Sequence, residues 1–341
     1  MTGDARRSAA AAGIPAASLF AQVHTLVGPK LARVEETIQS HLRSQFDPID
    51  DAGRYLAQGS GKRLRPTLVL LSSGLVGYEG EHDVTLGAVF EFIHTATLVH
   101  DDIIDEAETR RGLPSANRVY GNQFTVLLGD YLYIHAMNMA LAAREIRVID
   151  VLAEATERMI EGEILGHHLR RRADVTEAQH LAIVERKTAW LFAACCRVPA
   201  ILGHRGPEVE EALAGYGMAL GLAFQLVDDL LDVTADEKTL GKPVGQDLCE
   251  GRLTLPWIDL LRTGTPRERE AVLAALASGR FEALPFAELR AALERTGCLA
   301  RTRALAEQYA EQARELVEGF APGPYRDVLL ELPLTILDRD R

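Results

Sequence analysis

Apolar residues recur along the chain at intervals of three and four, which is the spacing of one face of an α-helix. The pattern predicts a succession of helices over residues 17–44 (restarting at Pro29), 83–105, 121–143, 145–169, 176–201 and 207–233. No stretch shows the sustained alternation of apolar and polar residues that is typical of a half-buried strand. We therefore predict an all-α protein, with a disordered tail over residues 1–16 and a single-domain bundle of long helices over residues 17–341.

Two of the predicted helices carry the same acidic pattern, Asp-Asp-x-x-Asp, within otherwise apolar sequence. The pattern is formed by Asp101, Asp102 and Asp105 and again by Asp228, Asp229 and Asp232. Carboxylates four residues apart share one helix face, and burying them without a partner would cost several kcal/mol or more. A cation is therefore expected between them, and oxygen ligands that leave room for water and phosphate suit Mg²⁺. Two such clusters facing each other could hold a diphosphate through a shared group of metal ions.

Basic side chains lie close to the first acidic cluster in the sequence. Lys62 and Arg65 belong to a glycine-rich turn, which is either a solvated turn or an anion clamp. His94 precedes the cluster and is either a core histidine or a contact to diphosphate. Arg110 and Arg111 follow the cluster, where they either neutralise phosphate oxygens or end a helix. Taken alone, none of these residues decides between the two interpretations.

Two further segments carry cations that could reach the same site. Lys187 and Thr188 interrupt an apolar helical run, which is an unusual place for a lysine. The polar, glycine-bearing segment 236–251 is predicted to be a mobile flap over the site, with Lys242 as its cation. We expect both segments to contact phosphate groups.

The end of the helix predicted over residues 145–169 carries acidic and histidine side chains whose role is less clear from the pattern. Glu163 and His167 have the spacing of metal ligands, but the His-Glu-x-x-His pattern is absent, which favours a helix face or a surface role. The run of arginines over residues 170–172 is most simply a solvated loop.

The composition argues against several classes of protein. Of 341 residues, 47% are hydrophobic and 25% are charged, as in ordinary globular proteins. The formal net charge of −12 argues against non-specific nucleic-acid binding, which needs a basic face. We expect no integral membrane segment, since no apolar run reaches the length of a bilayer, and no secretory signal at the start. Without a Cys-x-x-Cys pair, the four cysteines are expected to be reduced thiols of a cytoplasmic protein.

Taken together, these residues resemble the trans-type polyprenyl diphosphate synthases, and in particular the long-chain, octaprenyl- or solanesyl-like members. The combination of two acidic motifs, the Lys-Thr pair and a Gly-Lys-x-x-Gly-x-Asp segment over residues 241–247 is highly specific. The resemblance implies the isoprenoid synthase type I fold, long helices around a deep central cavity, usually as a homodimer. It also implies isopentenyl diphosphate and an allylic diphosphate as substrates, with a group of three Mg²⁺ ions, or Mn²⁺, once diphosphate is bound.

The resemblance assigns roles to individual residues. The six aspartates would bind the metal ions and, with Lys187 and Lys242, form the catalytic set. Contacts to isopentenyl diphosphate are implied for Lys62, Arg65, His94 and Arg111. Contacts to the allylic diphosphate are implied for Arg110, Lys187, Thr188, Gln225 and Lys242. This sequence departs from the family at Gly166, where a glutamine is usual, and at Arg252, where a lysine is frequent. The first change removes a polar group near the cavity mouth, and the second keeps the charge.

The residues just before the first motif bear on product length, because in this family aromatic residues there give short products. Here Ala96 and Thr97 are small, and replacing Ala96 by Phe is expected to shorten the product. Two to three helical turns without an aromatic residue give roughly 11–16 Å of free wall. We therefore expect a product beyond the farnesyl to geranylgeranyl range, with Tyr133 or Met137 as the floor of the cavity.

Several alternatives remain open at this stage. The first is a farnesyl or geranylgeranyl diphosphate synthase, and the second is a non-catalytic regulatory subunit of a heteromeric synthase, although such partners commonly lack an acidic motif. A type I terpene cyclase or a head-to-head synthase fits less well, because neither typically has this second Asp-Asp-x-x-Asp. Acidic clusters on a solvated surface would not explain two matching clusters inside apolar helices.

Overall fold

Helices account for nearly all of the regular structure of this chain. The computed structural model describes residues 16–59, 61–235 and 244–338, so Lys242, most of the predicted flap and the predicted tail up to residue 15 lie outside the described residues. The α-helices are α1 (Ala16–His41), α2 (Asp47–Gln58), α3 (Leu64–Leu75), α4 (His82–Ile104), α5 (Ala116–Tyr120), α6 (Asn122–Ala140), α7 (Ile146–Leu169), α8 (Glu177–Val184), α9 (Trp190–Leu202), α10 (Pro207–Thr234), α11 (Gln246–Cys249), α12 (Leu255–Thr263), α13 (Pro266–Ser278), α14 (Phe286–Arg295), α15 (Cys298–Glu318) and α16 (Pro324–Leu337). The prediction of an all-α fold is confirmed.

Four short elements complete the regular structure of the described residues. A 3₁₀ turn, Leu141–Ala143, extends α6, and a π-helical segment, Glu185–Ala189, joins α8 to α9. Two strands of two residues each, β1 (Thr109–Arg110) and β2 (Leu113–Pro114), pair antiparallel just after α4. Strands this short leave no alternating pattern in the sequence, which is why the hairpin was not predicted.

Local sequence explains where several helices begin. Thr176 and Thr265 each cap a helix through a capping box, in which the threonine hydroxyl accepts from the backbone N–H of the third residue of the helix and that residue's side chain accepts from the threonine N–H in return.

The first helix differs from the prediction, because α1 continues through Pro29 without a restart. The apolar side chains of α1 lie in the core on both sides of this proline, so burial holds the helix together across it.

The core places the two acidic helices, α4 and α10, inside the bundle. α4 packs against α3 and α6, while α10 packs against α9 and α15. Glycines permit this approach, since a Cβ at Gly217 would lie 2.3 Å from the carbonyl oxygen of Phe192, and one at Gly221 would lie 2.6 Å from Ala189 Cα. The second acidic motif is thereby held next to the segment that carries the Lys-Thr pair.

One described stretch, Asn122–Ala143, is long and apolar enough to cross a membrane by length and composition alone, with a mean hydropathy of 1.2. The expectation that no segment reaches this length is therefore wrong by that measure. Helices that belong to the core of a globular bundle pass the same test, and this one packs on α4 with 33% of its most apolar window buried. It also carries Asp130 near its middle, where a carboxylate in hydrocarbon would be costly.

Candidate active site

Both acidic motifs open onto one cavity of about 1260 Å³ between the long helices. Asp101 of α4 and Asp228 of α10 line it together. The other predicted site residues that line this cavity are Lys62, Arg65, His94, Thr97, Arg111, Lys187, Thr188 and Gln225. Residues separated by up to 166 positions in the sequence therefore meet around one space, as a site for a substrate with several charged groups requires.

Asp101 lies at the centre of a chain of charges from three helical segments. Its Oδ2 is 3.4 Å from Lys187 Nζ, and Lys187 also forms an ion pair with Glu163 of α7. Burial raises the pKa of Asp101 to about 6, with Lys187 opposing this shift and the charges of Glu163 and Asp105 adding to it. The ionised carboxylate is therefore costly here, and a cation beside it would stabilise the charge. Glu163, interpreted from sequence as a surface residue, instead lines the cavity.

Lys187 and Thr188 reach the site because they lie in the π-helical segment Glu185–Ala189. A π-helical turn inserts an extra residue and changes the direction of the side chains that follow it, and such turns are frequent at functional sites. α7 passes very close to this segment, because Gly162 leaves room where a Cβ would lie 2.8 Å from the backbone nitrogen of Lys187. The hydroxyl of Thr188 donates to Gln225 Oε1 at 2.9 Å, which links the segment to α10.

Asp102 faces away from Asp101 and is 2% exposed. Arg110 Nε donates to its Oδ1 at 2.6 Å from the β1–β2 hairpin. Burial raises the pKa of Asp102, and the charge and hydrogen bond of Arg110 oppose this shift. Asp102 and Arg110 line a second cavity of about 80 Å³ on the other side of α4. The hairpin therefore serves to hold a cation against the middle aspartate of the first motif.

Asp105 is the residue at which α4 ends, and both of its carboxylate oxygens face arginines. Its Oδ1 is 3.2 Å from Arg170 Nη1, and its Oδ2 is 3.5 Å from Arg252 Nη1. Arg252 in turn pairs with Asp247 at 2.7 Å, and carboxylates on three sides raise its pKa although burial opposes them. The interpretation of Arg170 as part of a solvated loop is wrong, since tertiary packing brings this residue to the first acidic motif.

The second motif has a different environment. Asp229 is buried, with His180 Nε2 at 3.0 Å from its Oδ2, while Gln225 Nε2 donates to its Oδ1 at 3.1 Å. Asp232 is also buried and accepts from the backbone nitrogen of Asp247 at 3.2 Å. Asp228 is exposed to the cavity. His180 was not identified from sequence, because a single histidine on a short amphipathic helix gives no signal of its partner.

In the basic turn before α3, one cation forms ion pairs with neighbouring helices, and two others lie at the cavity. Arg63, with a left-handed φ of 52°, pairs with Glu35 of α1 and Glu91 of α4 at 2.8 Å each. Lys62 is exposed at the cavity, and Arg65 lies over the ring of Phe192 with 5.3 Å between the guanidinium carbon and the ring centre. The buried Nε of Arg65 has no hydrogen-bond partner among the described residues. The turn therefore presents charge to the cavity that the described part of the chain leaves uncompensated.

The surroundings of His94 also indicate an anion site. Burial holds the pKa of His94 well below its usual range, and Arg65 and Arg111 lower it further. The imidazole is consequently neutral near pH 7, so it can donate a single hydrogen bond without adding to the local charge. Arg111 donates to the carbonyl oxygen of Gly59, and a Cβ at Gly61 would lie 2.8 Å from its Nη2. These glycines let the guanidinium lie against the turn.

The two residues predicted to govern product length lie in different places. Thr97 lines the cavity, and its hydroxyl donates to the His94 carbonyl oxygen at 2.8 Å. Ala96 is 3% exposed and points into the core, so its assignment to the cavity wall is corrected. One helical position turns a side chain by about 100°, which is enough to separate the two. Tyr133 and Met137 likewise pack against the core and are absent from the residues lining the described cavity.

The oxygen-rich donor set fits a hard divalent cation. Among the described residues, no three carboxylate, histidine or cysteine side chains converge on one point. Mg²⁺ does not require such a cluster, since it is usually held by one or two carboxylates, substrate phosphates and water. Asp101 and Asp228 line the same cavity and could each supply such a carboxylate, and a divalent cation beside Asp101 would offset the cost of burying its charge.

Comparison with known proteins gives one consistent result. A family model described as polyprenyl synthetase matches residues 47–288. The octaprenyl diphosphate synthase of Escherichia coli (strain K12) is 39% identical over 320 residues, which cover 94% of this chain and 99% of that protein. A polyprenyl synthase from Caulobacter crescentus CB15, complexed with calcium and isoprenyl diphosphate, superposes with a TM-score of 0.89 at 34% identity, covering 94% of this chain and 98% of that one. A decaprenyl diphosphate synthase from Rhodobacter capsulatus superposes with a TM-score of 0.87 at 34% identity, covering 94% and 99%.

Proposed function

Since the chain belongs to the polyprenyl synthetase family and is a chain-elongating trans-prenyltransferase, we propose that it makes a long all-trans polyprenyl diphosphate with Mg²⁺ as its cofactor. Its substrates are isopentenyl diphosphate and an allylic diphosphate. One observation carries the proposal: Asp101 and Asp228 line the same cavity of about 1260 Å³, which Thr97 and apolar side chains such as Leu332 and Ile336 also line. The charged end can hold a diphosphate, and the apolar remainder can hold a growing chain.

The residues of the chain account for the chemistry in a few steps. Asp101, Asp105 and Asp228 would hold Mg²⁺, which when bound supplies Lewis-acid stabilisation of the departing diphosphate. Lys187 stabilises the same developing charge. The allylic C–O bond breaks with its electron pair leaving on the diphosphate, and the double bond of isopentenyl diphosphate attacks the allylic cation. The resulting cation loses a proton to the released diphosphate. The basic turn and neutral His94 orient isopentenyl diphosphate for this attack.

Incubation with labelled isopentenyl diphosphate, Mg²⁺ and farnesyl or geranylgeranyl diphosphate tests the proposal. Chromatography of the dephosphorylated products should show a ladder that ends in one long prenol. A ladder ending at the farnesyl or geranylgeranyl length would assign a short-chain synthase and overturn the proposed product. A hydrocarbon product would indicate a cyclase. No consumption of substrate would favour the regulatory-subunit alternative.

Product length can be tested at the two neighbouring residues 96 and 97, of which only Thr97 lines the cavity. Thr97→Phe places an aromatic ring in the cavity and should shorten the product. Ala96→Phe directs the ring into the core, where overpacking should lower the free energy of unfolding by about 1–3 kcal/mol. Products of unchanged length from Thr97→Phe would refute the assignment of this wall as the elongation path.

We propose a homodimer formed through α6 and α7. Support comes from the exposed apolar side chains on these helices, which include Leu127 (66% exposed), Ile134 (57%) and Ile164 (65%). A lone chain rarely leaves such a face uncovered. Size-exclusion chromatography with light scattering should give twice the mass of one chain, and the double variant Leu127→Glu, Ile134→Glu should give the mass of one chain.

We also propose a cytoplasmic location, which the four free thiols support.

A further inference from the structure

Arg170 is placed so that it joins the first acidic motif to the loop after α11. Its Nη1 lies 3.2 Å from Asp105 Oδ1, and its Nε donates to the carbonyl oxygen of Glu250 at 2.7 Å. The next residue along the chain, Arg171, donates its backbone N–H to the carbonyl oxygen of Gly251 at 2.7 Å. The guanidinium is therefore held in one orientation, unlike that of an arginine in a solvated loop.

The face of α7 next to Arg170 is otherwise open. Gly166 lies one turn earlier on the same face, and a Cβ there would meet only Ile183 Cγ2, at 3.8 Å. Three residues before Gly166 on the same face, Glu163 pairs with Lys187. Arg170, directly after the end of α7, therefore brings a positive charge to Asp105. Because residue 166 is glycine, no side chain from that position lies between Glu163 and Arg170 on this face.

We propose that Arg170 is a positioning residue for the complex of Mg²⁺ and diphosphate, acting through Asp105. It orients the carboxylate, and its positive charge offsets that of the diphosphate bound beside the metal. This inference rests on the proposed function, because it assumes that Asp105 takes part in the metal site. It adds to that function a residue whose charge favours the metal–diphosphate complex over the metal ion alone.

The electrostatic role has a signature that a purely structural role lacks. A guanidinium next to Asp105 repels a lone divalent cation but attracts the anionic diphosphate. Arg170→Gln should therefore bind Mg²⁺ alone more tightly and bind inorganic diphosphate in the presence of Mg²⁺ more weakly, each by about three- to tenfold. Arg170→Lys keeps the charge and should restore both affinities most of the way to the wild-type values.

Isothermal titration calorimetry on the full chain measures both affinities, with Mg²⁺ alone and then with inorganic diphosphate at saturating Mg²⁺. Arg172→Gln is the matched control, since it removes the same charge two residues away, where Arg172 pairs with exposed Asp174 at 2.8 Å. This control should change neither affinity. Circular dichroism checks that each variant is folded. If Arg170→Gln does not fold, Arg170→Lys is compared with wild type instead, and it should show the same two changes in affinity, tighter for Mg²⁺ alone and weaker for diphosphate, at a smaller size.

Three results would overturn the inference, and they are distinguishable. Affinities of Arg170→Gln that match those of wild type and Arg172→Gln would show that Arg170 has no influence on the complex. A loss of both affinities, for Mg²⁺ alone as well as for diphosphate, would show a structural role only. Wild-type protein that binds neither probe would refute the proposed metal site itself, and the inference with it. Opposite shifts in the two affinities support it.

Discussion

The two acidic motifs have the same spacing in the sequence but different surroundings in the fold. In the first motif each carboxylate lies beside a cationic side chain, with Lys187 at Asp101, Arg110 at Asp102 and two arginines at Asp105. In the second, Asp229 lies beside His180 and the neutral amide of Gln225, while Asp232 accepts from a backbone N–H. Among the described contacts, cationic side chains therefore surround the three carboxylates on α4, while hydrogen bonds from an amide and a backbone N–H reach Asp229 and Asp232 on α10.

The described contacts also differ in where they lie. Of the cations beside the first motif, Lys187 of the π-helical segment lines the described cavity, whereas Arg110 lies in the β1–β2 hairpin, Arg170 directly after α7 and Arg252 in the loop after α11. The partners of the second motif tie α10 to α8 and to the start of α11. Each motif presents one carboxylate to the described cavity, Asp101 in the first and Asp228 in the second.

The largest expected effect compares the two carboxylates that face the cavity. Asp101→Ala and Asp228→Ala should each lower turnover by roughly 10²–10³-fold or more, because each removes a carboxylate that would hold Mg²⁺ beside the reacting diphosphate. The helical circular dichroism signal should remain. Measured turnover under saturating substrates decides the matter, with Asp174→Ala as a control on an exposed residue. Near-normal turnover in either cavity variant would contradict the proposed site.

The features that sequence analysis predicted well are those in which pattern and packing agree. α4, α7 and α10 have apolar residues repeating over many turns, and the acidic motifs lie where these helices enter the core. Their periodicity is strong enough to fix both the helix and its buried face. The side chains predicted to surround the diphosphates line one cavity for the same reason, since each lies at a fixed place on such an element.

What could not be predicted depends on contacts between distant parts of the chain. Arg170 meets Asp105 across 65 positions and His180 meets Asp229 across 49, and no local pattern encodes either pairing. Ala96 was misassigned because sequence spacing does not fix the rotation of a helix to within one residue. The continuation of α1 through Pro29 likewise reflects burial on both sides, which outweighs the local preference of proline.

The next effect concerns stability and contrasts the partners of Asp229 and Asp102. His180→Ala leaves a buried carboxylate without one of its two side-chain partners and should lower the free energy of unfolding by about 2–3 kcal/mol. Arg110→Ala should cost more, about 3–5 kcal/mol, because Asp102 is only 2% exposed and loses the cation that offsets its buried charge. Urea unfolding measures both, with His168→Ala on the exposed face of α7 as the control. Equal losses at the two sites would remove the distinction between the motifs.

The effect most specific to the first motif is the pH dependence contributed by Asp101. Its pKa is raised to about 6 from an ordinary value of 3.8, so the folded protein binds this proton more tightly than the unfolded chain does. Its contribution to the free energy of unfolding therefore falls as pH rises from about 4 to about 6, by about 3 kcal/mol, and then stays constant.

Asp101→Asn removes this dependence. In metal-free protein with EDTA, the variant should equal wild type in stability near pH 4 and exceed it by about 3 kcal/mol at pH 7.5. Asp174→Asn is the control, because Asp174 is exposed and pairs with Arg172, and this variant should give no such gain in stability at pH 7.5. Urea unfolding of both variants and wild type at the two pH values measures this. Equal pH dependence in the two variants would show that the effect is not specific to the buried environment of Asp101.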